Sequence, residues 1–421
     1  MGKERKGNLF LRIVIVCILL LQVNLFDLIP ENSFWDSINS NTNKYLVLII
    51  ISLALIIKLL LNGMSNSPKN TIDNSVIFFF LATLIVMLGS MWVYEQSFYT
   101  SFANGYYYLV FPLSYFLLKD YFKYQKNISF FINTVVLIGI IYSVLYILKS
   151  KYGISIVHPV AVVDLNNMLS GNGNSGFVRY QVPADYIFFS SFIYNLAVIN
   201  EIKKISIPYF LIQGIFVFNL FFVGQVRTYF SITVIFIVFT VFMKLIKRSG
   251  ILAPILLMLS TLSGIAIVFY LIKKLGFFEG DRISSTLVRT EAIPYYLSQA
   301  FNHKLFGIGF PDTGTHYLLI HGFSHIFNSS IFYIEDTGIF GIIGVFGLMG
   351  IIFTLWLLKG IFKDIIRNDH KFQQIGVVVL YLSLFVTLIP LNSPRVILMA
   401  FYLLSIKEFR KFSAIDRIGN F

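Results

Sequence analysis

The sequence predicts an all-α integral membrane protein, and three observations do so. Of its 421 residues, 57% are hydrophobic and 13% charged, where a soluble domain carries about 25% charged residues. Mean hydropathy is +0.78. The apolar residues also fall in runs of about 20, the helix length that crosses a bilayer core of roughly 30 Å. Length alone would suggest two or three soluble domains. Hydropathy overrides that prior and makes residues 1–421 one polytopic membrane domain.

The runs are Leu9 to Ile29, Tyr45 to Leu61, Val76 to Tyr94, Ser101 to Leu118, Ile128 to Leu148 and Val182 to Ile199. They continue with Ile207 to Val223, Thr228 to Ile246, Ile251 to Ile272 and Gly338 to Leu358. The last, Ile375 to Ile406, is interrupted by Pro390, Pro394 and Arg395 and reads as two crossings, for about twelve transmembrane helices. The basic start, Met1 to Arg12, resembles a signal peptide, but no small-residue cleavage site follows, so the first helix is expected to be retained. The single cysteine, Cys17, lies within that helix and excludes an intramolecular disulfide.

Charge sets the orientation. The chain carries a net +13, which in a soluble protein would point to nucleic acid; here it is first sorted by side of the membrane. With both termini cytoplasmic, 22 of the 33 Lys and Arg fall inside and 11 outside, as the positive-inside rule expects. A single final crossing would instead expose the basic tail Lys407, Arg410 and Lys411. Nucleic acid is not an expected partner. Two long external connections follow, residues 149–181 and residues 273–337.

The external cations are unusually rich in arginine: five of the 11, namely Arg179, Arg227, Arg282, Arg289 and Arg395, against six of 22 inside. Lysine suffices for loose contact with anionic head-groups, whereas the planar guanidinium fork grips phosphate oxygens in a fixed geometry. A bound phosphate or pyrophosphate is one reading; snorkelling at helix ends or pairing with acids is the other, and for Arg395 it is preferred. Arg227 sits in Val223-Gly-Gln-Val-Arg-Thr228, a turn too short to leave the bilayer surface. Arg179 closes a loop that contains the flexible run Ser170-Gly-Asn-Gly-Asn-Ser-Gly176. Arg282 and Arg289, seven apart, would share one helix face until Pro294 interrupts it. Leu305-Phe-Gly-Ile-Gly-Phe-Pro311 reads as a tight turn.

Five of the six histidines are external: His158, His303, His316, His321 and His325. His321 and His325 have chelating spacing if helical, but no cysteine and few acids accompany them, so no metal site is expected. One histidine acting as general base is the better functional reading, against the bland role of a hydrogen-bonded loop residue.

In layout and in several short motifs the chain resembles the O-antigen ligase and polysaccharide repeat-unit polymerase superfamily, the Wzy type. The matching residues are Arg289, then Asn302-His-Lys-Leu-Phe-Gly-Ile-Gly309, then Asn328, then Asp336-Thr-Gly338-Ile-Phe-Gly341. Arg179 and Arg227 match the family's arginines after its earlier external loop and at a short external turn. The position that usually holds the family's histidine is Phe327, with His325 two residues earlier as the substitute.

The resemblance implies a metal-independent membrane glycosyltransferase of class C in a bacterial inner membrane, with 273–337 as its catalytic loop. It would join undecaprenyl-diphosphate-linked oligosaccharides into capsule, O-antigen or exopolysaccharide of the cell envelope. Arg289 and His325 would be catalytic. Arg179, Arg227, Arg282 and Asn328 would bind pyrophosphate and glycan. No cofactor is implied, and a chain-length regulator (co-polymerase) is the protein partner such a role would call for. The rival readings are a ligase with a different acceptor, and a dolichol-phosphate-type transferase using an acid among Asp27, Glu31 and Asp36. A flippase or transporter is disfavoured, because the spans carry few ionisable groups beyond Arg12 and Lys58.

Overall fold

The computed structural model describes residues 2–29, 33–40, 42–62, 70–153, 176–249, 281–302, 306–324, 331–366, 371–386 and 388–418. Among these, all regular structure is helical apart from one isolated bridge, Phe323 to Ile331. The helices are α1 (Gly2–Gln22), α2 (Ser33–Ile38), α3 (Tyr45–Asn62), α4 (Thr71–Val93) and α5 (Phe98–Gly105). Next come α6 (Tyr107–Leu118), α7 (Gln125–Tyr152), α8 (Ala184–Ile199), α9 (Ile207–Phe218) and α10 (Arg227–Ser249). The chain ends with α11 (Asp281–Asn302), α12 (Tyr317–His321), α13 (Ile339–Ile366), α14 (Lys371–Ser383) and α15 (Val396–Ile418). Among the described residues, five stretches are long and apolar enough to cross a membrane: Thr71–Val93, Gln125–Tyr152, Ile207–Gly224, Arg227–Lys244 and Ile339–Ile366. Shorter apolar helices accompany them, including Leu9–Gln22 and Tyr45–Leu61. The chain is thus an all-α protein of membrane character. The expected run Ile251 to Ile272 lies outside the described residues.

One further run differs from expectation, and another holds the two segments expected of it. Ser101 to Leu118 is shared between α5 and α6. The last run holds two helices, α14 and α15, joined through a turn that carries Pro390 and Pro394. Proline lacks the N–H a helix needs and restrains the residue before it, so the break falls there.

The chain forms two compact units: residues 1–58, 117–272 and 401–421, and residues 59–116 and 273–400. In the first, α7 and α8 approach closely where Gly139 meets Ser190; a Cβ on Gly139 would lie 2.5 Å from the serine oxygen. Aromatic rings fill this core: Phe131 stacks on Phe401, and Phe189 meets Tyr402 edge-on. Arg12 donates to Asn127 at 3.2 Å and lies over Phe130. Asp120 takes ion pairs from Lys58 and Lys123 at 2.9 and 2.6 Å. Burial alone would raise its carboxyl, but the two ammonium groups outweigh it and hold it down at about 2.

In the second unit α4 starts with a capping box: Asp73 N–H donates to Asn70, and Asp73 accepts from the Asn70 N–H. Its core is Phe79, whose ring meets Phe111, Phe346 and Phe353. Helix α13 is broken at Gly347, with φ 57° and ψ −134°. A Cβ on Gly350 would lie 2.8 Å from the Ile342 carbonyl oxygen, whereas eight residues of straight helix would separate them by roughly 12 Å. The expected single helix Gly338 to Leu358 is therefore a short arm that turns back sharply into a longer one.

Candidate functional site

The functional residues named from the sequence fall in both units, and each group stands on its own scaffold. Arg289 belongs to the second unit, on α11. That helix runs through Pro294 without ending, so the expected interruption does not occur, and Arg282 and Arg289 share one continuous helix. The Arg282 side chain lies outside the described residues, as do His325 and Asn328. Helix α12 stops at His321, and Gly322 follows with φ 63°.

Arg289 Nη2 donates to Asp336 Oδ2 at 3.0 Å. Asp336 sits in a single 3₁₀ turn, Ile334–Asp336, immediately before the short arm of α13. Guanidinium carries five N–H donors, and one goes to the carboxylate. The Nε is buried without a hydrogen bond among the described residues. The pair thus fixes the fork and leaves donors over. Nearby, Ser324 donates to Glu291 at 2.6 Å.

Two tyrosines, Tyr295 and Tyr296, tie α11 to the loop. Tyr295 donates to the Leu319 carbonyl at 2.7 Å, and Tyr296 to the Ile320 carbonyl at 3.0 Å. Burial raises both hydroxyls above the usual tyrosine range, Glu335 adding to the effect at Tyr296, and both remain donors. His321 donates from Nδ1 to the Phe332 carbonyl at 2.9 Å. Ala292, Tyr296, Ile308 and Phe332 form a small buried core beneath these contacts.

The Gly-Ile-Gly segment does more than turn the chain. Ile308 and Gly309 N–H groups donate to the Gly344 and Val345 carbonyls at 2.8 and 2.9 Å. These carbonyls immediately precede the break at Gly347, where the helix no longer supplies its own donors. A Cβ on Gly307 would lie 1.9 Å from the Gly344 oxygen, so only glycine fits. The other side of the segment is latched to α4 and α5. Tyr94 donates to Ile308 O at 2.7 Å, the Phe310 N–H donates to Ser90 at 2.8 Å, and Asn104 donates to Pro311 O at 2.7 Å. Gln96 closes the latch in both directions, donating to Phe310 O and accepting the Asp312 N–H, each at 2.8 Å.

In the first unit, the segment carrying Arg179 lies against the turn before Arg227. Tyr180 N–H donates to Val223 O at 2.9 Å, and Ser150 exchanges two hydrogen bonds with Val178. The turn is a π-helical stretch, Asn219–Gly224, followed by Gln225 in the left-handed region at φ 49°. Such π turns often mark functional sites. Arg227 is the first residue of α10, so its charge adds to the positive end of the helix dipole, an arrangement that favours an anion. Tyr229, two residues on, donates to Asp185. Lys149 lies over the rings of Tyr146 and Tyr180, at 5.5 and 4.9 Å.

Sequence reasoning did not single out the latch residues Ser90, Tyr94, Gln96 and Asn104, which lie more than two hundred residues from their partners. Nor did it find Lys149 or the Asp185–Tyr229 pair. No group of His, Cys, Asp and Glu able to hold a metal ion occurs among the described residues. Comparison of the chain with protein-family models, with curated proteins and with solved structures returned no match.

Proposed function

We propose that the chain is a membrane glycosyltransferase that polymerises lipid-linked oligosaccharide repeat units. In this reading a sugar hydroxyl of one unit attacks the anomeric carbon of a sugar on another. The bond to undecaprenyl diphosphate breaks, its electron pair leaves on the phosphate oxygen, and the hydroxyl proton passes to a general base, for which His325 is the candidate. A guanidinium already oriented toward that oxygen stabilises the departing charge more than it stabilises the intact diester. The observation that carries the reading is Arg289, held along one edge by Asp336 with its side chain still 42% exposed. Arg227 and Arg179, on adjoining segments of the first unit, would contribute to diphosphate binding. Because arginine compensates the charge, the scheme needs no divalent ion.

The setting is a bacterial cytoplasmic membrane crossed about twelve times, with both termini in the cytosol and residues 273–337 outside. A ligase moving the glycan to a different acceptor is the second reading, since the same leaving group demands the same arginines. Reconstituted protein supplied with a single undecaprenyl-diphosphate oligosaccharide separates the two: a polymerase makes a ladder, and a ligase makes nothing without its acceptor. Orientation is tested with Cys17 replaced by serine and single cysteines introduced in 273–337. Labelling of these from the cytosolic side alone would end the scheme.

A further inference from the structure

The segment after α1 holds an unusual turn that the scheme above leaves unused. Asn24, Leu25, Phe26 and Asp27 are consecutive and all left-handed, with φ of 47°, 51°, 61° and 55°. Phe26 N–H donates to Val23 O at 2.8 Å and Leu28 N–H to Leu25 O at 3.2 Å, closing one left-handed helical turn. Each L-residue in this handedness costs roughly 1–2 kcal/mol, with Asn and Asp the most tolerant. A simple connector between two helices would avoid that cost with glycine or with a right-handed turn. Strain of this kind persists where the surroundings enforce it, and it concentrates at functional sites.

Here the surroundings are specific. Asn24 Oδ1 accepts from Trp35 Nε1 at 3.0 Å and from Asn39 Nδ2 at 3.1 Å, while Asn24 Nδ2 donates to Asp27 Oδ1 at 3.1 Å. The Phe26 ring meets Tyr142 at 6.0 Å. Tyr146 donates to Asp27 Oδ2 at 2.5 Å. The product of the turn is thus one half-buried carboxylate, held from both oxygens. An ionised carboxylate offers about four acceptor positions, and the described partners use one on each oxygen. Around it stand aromatic rings: Tyr146 meets Tyr180 at 5.5 Å, and Lys149 lies over both.

This chemistry selects its ligand. A carboxylate repels phosphate and accepts O–H donors, and Lys149 over the neighbouring tyrosines disfavours a cationic ligand. The two remaining acceptor positions, one per oxygen, match two neighbouring hydroxyls of one sugar. We propose that Asp27 is a carbohydrate-binding residue that accepts hydrogen bonds from the sugar hydroxyls of a lipid-linked glycan, with Tyr146 and Asn24 fixing its carboxylate. The lipid linkage rests on the function proposed above; recognition of the sugar does not.

The test uses the full chain in lipid nanodiscs and native mass spectrometry. The probes are undecaprenyl diphosphate and the same lipid bearing each of a panel of bacterial oligosaccharides; the free oligosaccharides are printed on an array. The wild type should bind at least one sugar-bearing probe about tenfold more tightly than the bare lipid, as hydrogen bonds to a charged group supply. Asp27→Asn and Tyr146→Phe should remove most of that difference while binding the bare lipid as before. If Asp27→Asn fails to fold, Tyr146→Phe, which keeps the ring, decides. An unchanged sugar-dependent difference in the variants, or none for any sugar in the wild type, overturns the proposal. Failure of the wild type to bind the bare lipid, with Asp27-dependent binding on the array intact, counts against the function above and supports Asp27.

Discussion

Arg289 and Asp336 meet at 3.0 Å across 47 residues of sequence, with side chains 42% and 35% exposed. So exposed a pair contributes at most about 1 kcal/mol to stability. Its value is directional: the carboxylate holds one edge of the guanidinium in place. Arg289→Ala should therefore leave the thermal midpoint of the purified protein within a few degrees of wild type. In the proposed reaction it should lower polymer formation by about a hundredfold or more, the scale of one lost charge-stabilising donor. Arg289→Lys should recover little, since an ammonium has no fork. Polymer ladders of normal length from Arg289→Ala would rule the residue out.

Asp336→Asn poses a sharper question. It keeps a hydrogen-bond acceptor for Arg289 but removes the charge. If Asp336 orients the fork, turnover should fall by about tenfold while binding of undecaprenyl diphosphate is unchanged or tighter. If Asp336 only neutralises the arginine, Asp336→Asn should instead raise activity. Steady-state rates and lipid binding on the same preparation distinguish the two outcomes.

Arg227→Ala removes a charge at the start of α10, where the helix dipole already favours an anion. Binding of the bare lipid diphosphate should weaken by about tenfold, and polymer should be lost, while membrane insertion stays intact. Equal binding by wild type and Arg227→Ala would remove it from the diphosphate site.

Two glycines give a stability test that does not depend on any function. Gly307→Ala would place a methyl 1.9 Å from the Gly344 carbonyl oxygen, and neither backbone can yield without losing the hydrogen bonds beside it. At Gly314 the nearest atoms, on Asp312, are 3.6 Å away. Gly307→Ala should lower the thermal midpoint and expose residues 306–312 to hydrogen exchange, with a cost of about 1–3 kcal/mol typical of overpacking. Gly314→Ala should change neither.

Lys44 gives a pH dependence. It is 1% exposed, and burial lowers its pKa from the ordinary lysine range of about 10.4 to about 7. Between these two values the unfolded chain holds the proton and the folded chain releases it. Stability should therefore rise with pH across that window and be weakest below about 7. Lys44→Met should flatten the slope and raise the midpoint at pH 6. A slope equal to wild type in Lys44→Met would assign the dependence elsewhere.

Much of the architecture was legible in the sequence because hydropathy is a local property. The ends of α3, α4 and α7 fall close to the expected runs, and the prolines at 390 and 394 mark a real break between helices. Backbone direction inside an apolar run was not legible. Phe346-Gly-Leu348 reads as apolar whether the helix continues or folds back, and only the approach of Gly350 to Ile342 reveals the reversal. The left-handed turn at Asn24–Asp27 contains no glycine to announce it. For the site, arginine composition pointed to Arg289 but not to Asp336 as its partner, because nothing local links residues so far apart. The latch of Gln96 on Phe310 and Asp312 is hidden for the same reason.

That latch has a consequence for building hybrids of this protein. The segment around Gly307 is clasped on one side by groups from Ser90 to Asn104 and on the other by carbonyls freed at the Gly347 break. Grafting residues 281–337 alone into another scaffold would carry off the clasped piece and leave both halves of the clasp behind. The transplantable module is discontinuous, and it should retain its shape only when residues 86–105 and 338–350 travel with it.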